Sequence, residues 1–195
     1  MLNKVFTFVL LILSGAGVIE LEANEHAAGW QTLFADKSPS WSFTGDASWT
    51  FDDSVLIGKD ASENSFILTN SRYANFHLKA EFYPVSETNS GIYFRCEKDK
   101  LTADDCYEAN IADKHKVVAS RTGSLVGHVE PLVQSETIGH WNTYEILAEN
   151  AHIQIWTNGV KTADYESADI SEGVIALQLF KAGEVRFRNV LVKEL

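Results

Sequence analysis

Glu108 and Asn110 stand two residues apart in Tyr107–Asp113, and Tyr93 and Arg95 stand two apart in Gly91–Cys96. In extended chain, residues i and i+2 share a face. One segment therefore presents a carboxylate beside an amide, and the other a guanidinium. A carboxylate on a shielded face can move a proton, and a cation or amide beside it can hold a negative oxygen. Arg95, Glu108 and Asn110 are candidates for one site, with Glu81 alongside. Asn89, Ser90 and Gln178 are further polar groups that can orient a bound molecule. Each has a plainer reading. Glu108 with Arg95 is also what a structural ion pair on a sheet looks like, Asn89-Ser90-Gly91 fits a turn and strand entry, and the Gln178 amide fits a bridge between strands. Two carboxylates flanking a bond, Glu108 with Asp113 or Glu81, would suit ordinary glycoside hydrolysis. Nothing in their spacing establishes that pair. Trp41, Trp49, Trp141 and Trp156 fit a core as readily as a sugar platform, and His128 and His140 are isolated in or beside loops. No metal motif is present, since neither cysteine has a CxxC or Cys/His neighbour, and no cofactor is implied.

The elements that would position these residues are strands. His77-Leu78-Lys79-Ala80-Glu81-Phe82-Tyr83 alternates polar and apolar residues, as a half-buried strand requires. His152–Thr157 repeats the pattern; Asn158-Gly159 then supplies the positive φ angles of a tight hairpin, and Val160–Tyr165 returns. Further strands are expected at Trp49–Asp52 with Val55–Gly58, Ser65–Thr69, Ser90–Cys96, Cys106–Ala112, Trp141–Ala148, Gly173–Phe180 and Val185–Glu194. Many short strands without convincing helices indicate an all-β sandwich or barrel. At 195 residues with 45% apolar content, the chain is expected to form one domain with its own core.

Lys4, the apolar run Val5–Leu13 and the small residues Ser14–Gly17 have the pattern of a signal peptide, with cleavage expected after Ala16 or Ala23. The domain is then 24–195, secreted or periplasmic, and free of the membrane once the leader is removed. The apolar run is short for a bilayer span. A formal net charge of −11 opposes nucleic acid and anionic lipid. Export favours a disulfide between Cys96 and Cys106, ten positions apart across a polar stretch, worth roughly 2–3 kcal/mol. The alternative is two buried free thiols. The bridge conflicts with the shared site, because in unbroken register it sets Arg95 opposite Tyr107, off the Glu108 face. Either a bulge or the loop shifts the register by one residue, or one of the two inferences fails.

Several strings, in order, carry a resemblance: Gly29-Trp30-Gln31-Thr32-Leu33-Phe34, Asn89-Ser90-Gly91-Ile92-Tyr93-Phe94-Arg95, Tyr107-Glu108-Ala109-Asn110-Ile111-Ala112-Asp113 and Thr122-Gly123. His140-Trp141-Asn142-Thr143-Tyr144-Glu145-Ile146, Asn158-Gly159, Ile175-Ala176-Leu177-Gln178 and Phe187-Arg188-Asn189-Val190 complete the set. Together they resemble the 3-keto-disaccharide hydrolase domain family, which implies a concanavalin A-like jelly-roll sandwich of two antiparallel sheets. Two departures stand out. Glu108-Ala109-Asn110 replaces the family's Glu-x-Gln, and Gln178 is followed by Leu179-Phe180-Lys181 where the family often carries an Asp-His-Gly type sequence.

The resemblance implies a carbohydrate ligand and cleavage of 3-keto-glycosides: a base removes the C2 proton, the glycosidic oxygen leaves by elimination, and water adds back. On that reading Glu108 is the base, Arg95 the enolate stabiliser, and Asn89, Asn110 and Gln178 the orienting donors. The contrasting expectation is a glycan-binding module without turnover, since one fold hosts both. The sequence leaves the oligomeric state open.

Overall fold

The computed structural model describes residues 29–35 and 41–195; the expected leader lies outside them. Among the described residues, thirteen strands account for the architecture. They are β1 (Gln31–Thr32), β2 (Trp41–Thr44), β3 (Ser48–Asp52), β4 (Val55–Lys59), β5 (Asn64–Thr69), β6 (Phe76–Pro84), β7 (Ser90–Cys96), β8 (Tyr107–Ile111), β9 (Asn142–Glu149), β10 (His152–Thr157), β11 (Val160–Glu166), β12 (Val174–Phe180) and β13 (Glu184–Glu194). One short 3-10 turn, Val118–Ser120, interrupts the loop after β8. Two antiparallel sheets result, one ordered β11-β10-β9-β6-β13-β4-β3 with β1 on β13, the other β2-β5-β12-β7-β8. This is the jelly-roll sandwich, and residues Gln31–Leu195 form one unit.

Alternation decides which sheet faces water. Along β6 every second residue is buried, and Phe76, Leu78, Ala80 and Phe82 enter the core while His77, Lys79, Glu81 and Tyr83 stay half-buried on the outer face. In β7, β8 and β12 nearly every residue is buried, so both faces of the smaller sheet are covered. Its inner face contributes Ile92, Phe94, Tyr107, Ala109, Ile111, Ile175, Leu177 and Leu179 to the main core. Its outer face carries a second cluster of Phe66, Leu68, Tyr93, Cys96, Cys106, Val174 and Ala176, with Leu101 packed on it. Cys96 and Cys106 are joined in a disulfide that closes the base of the 97–105 loop. The expected hairpin is present, with Asn158 at φ 50° and Gly159 at φ 78° joining β10 to β11.

Candidate functional site

Polar side chains on a covered sheet face need a reason, and those of the smaller sheet converge. Gln178 of β12 pairs with Gly91 of β7, which pairs with Asn110 of β8, so the two amides stand in one row with a bare glycine between them. In the next row Tyr93 faces Glu108 across β7 and β8. Glu108 leans over the glycine: a Cβ on Gly91 would stand 2.8 Å from its Oε1 and 3.1 Å from its Cγ. Only a residue without a side chain leaves the carboxyl that place.

The result is a pocket of about 180 Å³ walled by Tyr93, Glu108, Asn110, Gln178, Asn64 and Asn89, with His115, Ser120, Val126 and Phe180 completing the lining. Glu108 is 6% exposed. Burial raises its carboxyl to about 7, against the downward pull of a hydrogen bond from the Tyr93 hydroxyl. Burial, and then the charge of Glu108, push the Tyr93 phenol well above its ordinary value, so its proton stays in place as a donor. The Tyr93 ring is set edge-on to Phe66 at 5.1 Å, and its oxygen accepts from Gln178 Nε2 at 3.1 Å. Gln178 Nε2 also donates to Asn64 Oδ1 at 3.0 Å, and Asn110 Nδ2 donates to the Ser120 carbonyl. His115 Nδ1 is engaged by the Val117 backbone, 3.1 Å from its carbonyl and 3.2 Å from its amide nitrogen. The other ring nitrogen, Nε2, is the one left to meet a ligand.

Arg95 is not part of this site, which corrects the expectation that it shares a face with Glu108. The chain does bulge there: Arg95 has φ 56°, and β7 carries an extra residue against β12 between the Tyr93↔Ala176 and Cys96↔Val174 pairs. The bulge reconciles the disulfide with the pocket, but it leaves Tyr93 rather than Arg95 opposite Glu108. The Arg95 side chain is 1% exposed and spent on carbonyls, Nε and Nη2 on Ala74 O at 3.0 and 2.8 Å and Nη1 on Ile170 O at 3.1 Å. Gly173 admits the kink, since a Cβ there would meet the Arg95 carbonyl carbon at 2.3 Å.

Ser90 also stays outside the pocket; fully buried, its hydroxyl donates to the Gln178 carbonyl at 2.6 Å as a link between strands. Asn89, by contrast, lines the pocket, and its carbonyl accepts from Phe180 N at 3.0 Å. Neither second carboxylate stands beside Glu108. Asp113 pins the loop after β8, accepting from Thr122 Oγ1 (2.5 Å), Thr137 N (2.5 Å), Thr137 Oγ1 (2.8 Å) and Ile138 N (3.2 Å). Glu81 lies on the other sheet, paired with Arg188 at 2.6 Å and accepting from Asn189 at 2.6 Å. Trp141 lies under Arg188 and Trp156 under Lys161, while His128 stacks beside Tyr165 at 5.0 Å. His115, Asn64 and Ser120, with Val126 and Phe180, also line the pocket without having been singled out in the sequence, and Tyr93 was placed on the Arg95 face without being read as a site residue. Tyr93 was findable, because it shares a face with Gly91; the loop residues carried no signal.

Fold and pocket together define a jelly-roll β-sandwich with a polar pocket on the outer face of its smaller sheet. The chain belongs to the 3-keto-alpha-glucoside-1,2-lyase-like domain family, whose model matches residues 29–193. Among solved structures it is similar to two of candidate glycosyl hydrolases from Parabacteroides distasonis. Both have a TM-score of 0.74; one is 21% identical over 88% of this chain and 96% of that one, the other 24% identical over 85% and 99%. It is also similar to the carbohydrate-binding module CBM66 from Bacillus subtilis, at TM-score 0.65 and 20% identity over 81% of this chain and 98% of that one. These likenesses show a shared fold. No curated protein matches the chain in sequence.

Proposed function

We propose that this protein cleaves 3-keto-glucosides by elimination, with Glu108 as the base. The observation that carries the reading is the Glu108 carboxyl itself, buried in a polar pocket, raised to about 7 and without a second carboxylate among the described residues of the wall. A base works best with a pKa near the operating pH. One base suits proton abstraction, whereas direct hydrolysis wants two carboxylates. A ketone at C3 acidifies the C2–H bond; Glu108 takes that proton, and the electron pair passes to the C3 oxygen. As Glu108 becomes neutral, the Tyr93 O–H is released to donate to the enolate oxygen. The pair then returns to form the C1–C2 double bond while the C1–O bond breaks. The departing oxygen takes a proton, for which His115 is the candidate donor, being the titratable residue of the described wall besides Glu108 and Tyr93. Addition of water across the double bond gives the free sugar.

A second reading is supported by the segment after Gln178. Phe180 lines the pocket, with Lys181 Nζ 5.1 Å from its ring, where the family often carries a histidine. That change favours a glycan-binding protein without turnover, in line with the likeness to a carbohydrate-binding module. The test is release of methanol from methyl 3-keto-α-glucoside and from methyl α-glucoside in deuterated water. Elimination is expected to cleave only the keto sugar and to place deuterium at C2. Similar cleavage of both sugars would overturn the reading, and binding without release would establish the second one.

A further inference from the structure

Two buried side-chain atoms of the described wall have no hydrogen-bond partner. Gln178 Oε1 and Asn110 Oδ1 are both buried without a hydrogen bond, on side chains each 3% exposed. Their orientation is fixed from the other end. The Gln178 amide nitrogen is held by Asn64 Oδ1 and Tyr93 OH, and that of Asn110 by the Ser120 carbonyl, so turning either amide over would set oxygen against oxygen. Buried acceptors are rarely left unmet, and those that are call for a missing donor.

The placement of the pair says what kind of donor is missing. Gln178 and Asn110 flank Gly91 in one row across β12, β7 and β8, about two strand spacings apart, roughly 9.6 Å between backbones. Glu108 Oε1 fills the space above the glycine between them. Acceptor, carboxyl and acceptor thus follow one another across the floor. We infer that Gln178 and Asn110 select the ligand by accepting hydrogen bonds from two hydroxyl groups of one sugar held over Glu108. The inference rests on the 3-keto-glucoside reading for the class of sugar; with a carbonyl at C3 and a glycosidic oxygen at C1, the two donors are among the hydroxyl groups at C2, C4 and C6. It reverses the role expected of these amides, which are acceptors toward the ligand and spend their donors on the protein.

A site built around a hydroxyl group rejects the analogue that lacks it, because its own buried group is then left unpaired. The experiment is a binding titration of the full-length protein with methyl α-glucoside and its 2-deoxy, 4-deoxy and 6-deoxy analogues, using ligands that need no turnover. Two of the three deoxy sugars are expected to bind about 10- to 100-fold more weakly than the parent. In Gln178→Met the penalty at one of those two positions is expected to vanish while the other persists. Gln178→Glu keeps an acceptor there and is expected to retain both penalties, a result that loss of Asn64 or Tyr93 contacts alone would not produce. Equal binding of all four sugars, or unchanged penalties in Gln178→Met, overturns the inference even if the keto sugar is cleaved. Retention of the hydroxyl pattern without cleavage of the keto sugar overturns the catalytic reading and leaves the inference standing. Failure of the wild type to bind any of the sugars overturns it.

Discussion

At the scale of single residues, Glu108 is the place where function and stability pull apart. Its carboxyl is raised from 4.5 to about 7 by burial, so the folded chain holds the proton more tightly than the unfolded chain. A folded value above the unfolded one gives a contribution that is fully present below about pH 4.5 and lost as pH rises through about 7. The difference is roughly 3 kcal/mol at 1.36 kcal/mol per unit. Above neutrality the fold carries a buried charge that has no cation against it among the hydrogen bonds and ion pairs described. Glu108→Gln removes that charge while keeping the size. Its Tm is expected to exceed that of the wild type by roughly 5–10 °C at pH 8.5 and to match it within about 2 °C at pH 4.5. The same variant is expected to lose on the order of 10²–10⁴ in kcat/KM toward the keto sugar, and the wild-type kcat/KM is expected to rise with pH through about 7. Thermal melts at both pH values and a pH–rate profile check both arms; a melting temperature that falls at pH 8.5 would mean that Glu108 supports the fold. That Glu108 and Asn110 share a face was legible because alternation along a strand assigns one, whereas Gln178 was singled out through the family resemblance; the pocket brings the three together. Arg95 was misread by the same rule, since alternation assumes an unbroken strand and a non-glycine residue at positive φ breaks it. His115 was illegible because it reaches the pocket from a loop, where no period applies.

Elements show the same division between what a period reveals and what it hides. The β10–β11 hairpin and β6 were readable because their turn residues and half-buried alternation are local properties. The extent of β7 and β12 was readable, but the covering of their outer face was not, because it comes from elsewhere in the chain. Part of that cover is the 97–105 loop, tied down by Cys96–Cys106 and packed through Leu101 on the outer cluster that includes Tyr93. β1 and β2 went unread, being two and four residues long and set by pairing with β13 and β5. The bulge at Arg95 joins three such pieces, linking β7 to the carbonyls of Ala74, before β6, and Ile170, before β12. Arg95→Met removes the three hydrogen bonds that the guanidinium donates to the carbonyls of Ala74, an exposed residue, and Ile170, a half-buried one. It is expected to lower stability by about 1–3 kcal/mol, because a hydrogen bond to a charged group contributes roughly 1.5–3 kcal/mol net and water meeting the bared carbonyls offsets part of the loss. The folded fraction is expected to keep its activity. Denaturant titration with an activity assay on the native protein checks this; an unchanged midpoint with lost activity would return Arg95 to the mechanism.

For the whole molecule, the question is where a strongly acidic sandwich with one disulfide is assembled. Net charge −11 gives no general attraction to nucleic acid or anionic lipid, and among the described residues no helix is long and apolar enough to cross a membrane. The Cys96–Cys106 bond is of a kind kept in oxidising compartments, where a small domain gains from closing a loop. Lys4, the apolar Val5–Leu13 and the small residues that follow would supply a route there if they act as the expected leader, and the family match covers residues 29–193, past both expected cleavage points. Export of the full chain by a host with a secretory pathway is therefore expected to yield a protein shortened by its first 16 or 23 residues. That product is expected to have a mass two hydrogens below the reduced value and to take up no alkylating agent until reduced. Intact mass before and after reduction and alkylation reads both features at once. A retained Met1 with two alkylatable thiols would place the protein in a reducing compartment and leave the bond without a source of oxidation. A retained Met1 with the bond intact would instead separate the two features, making the apolar segment an anchor or an ordinary part of the chain and locating the oxidation outside the leader's control.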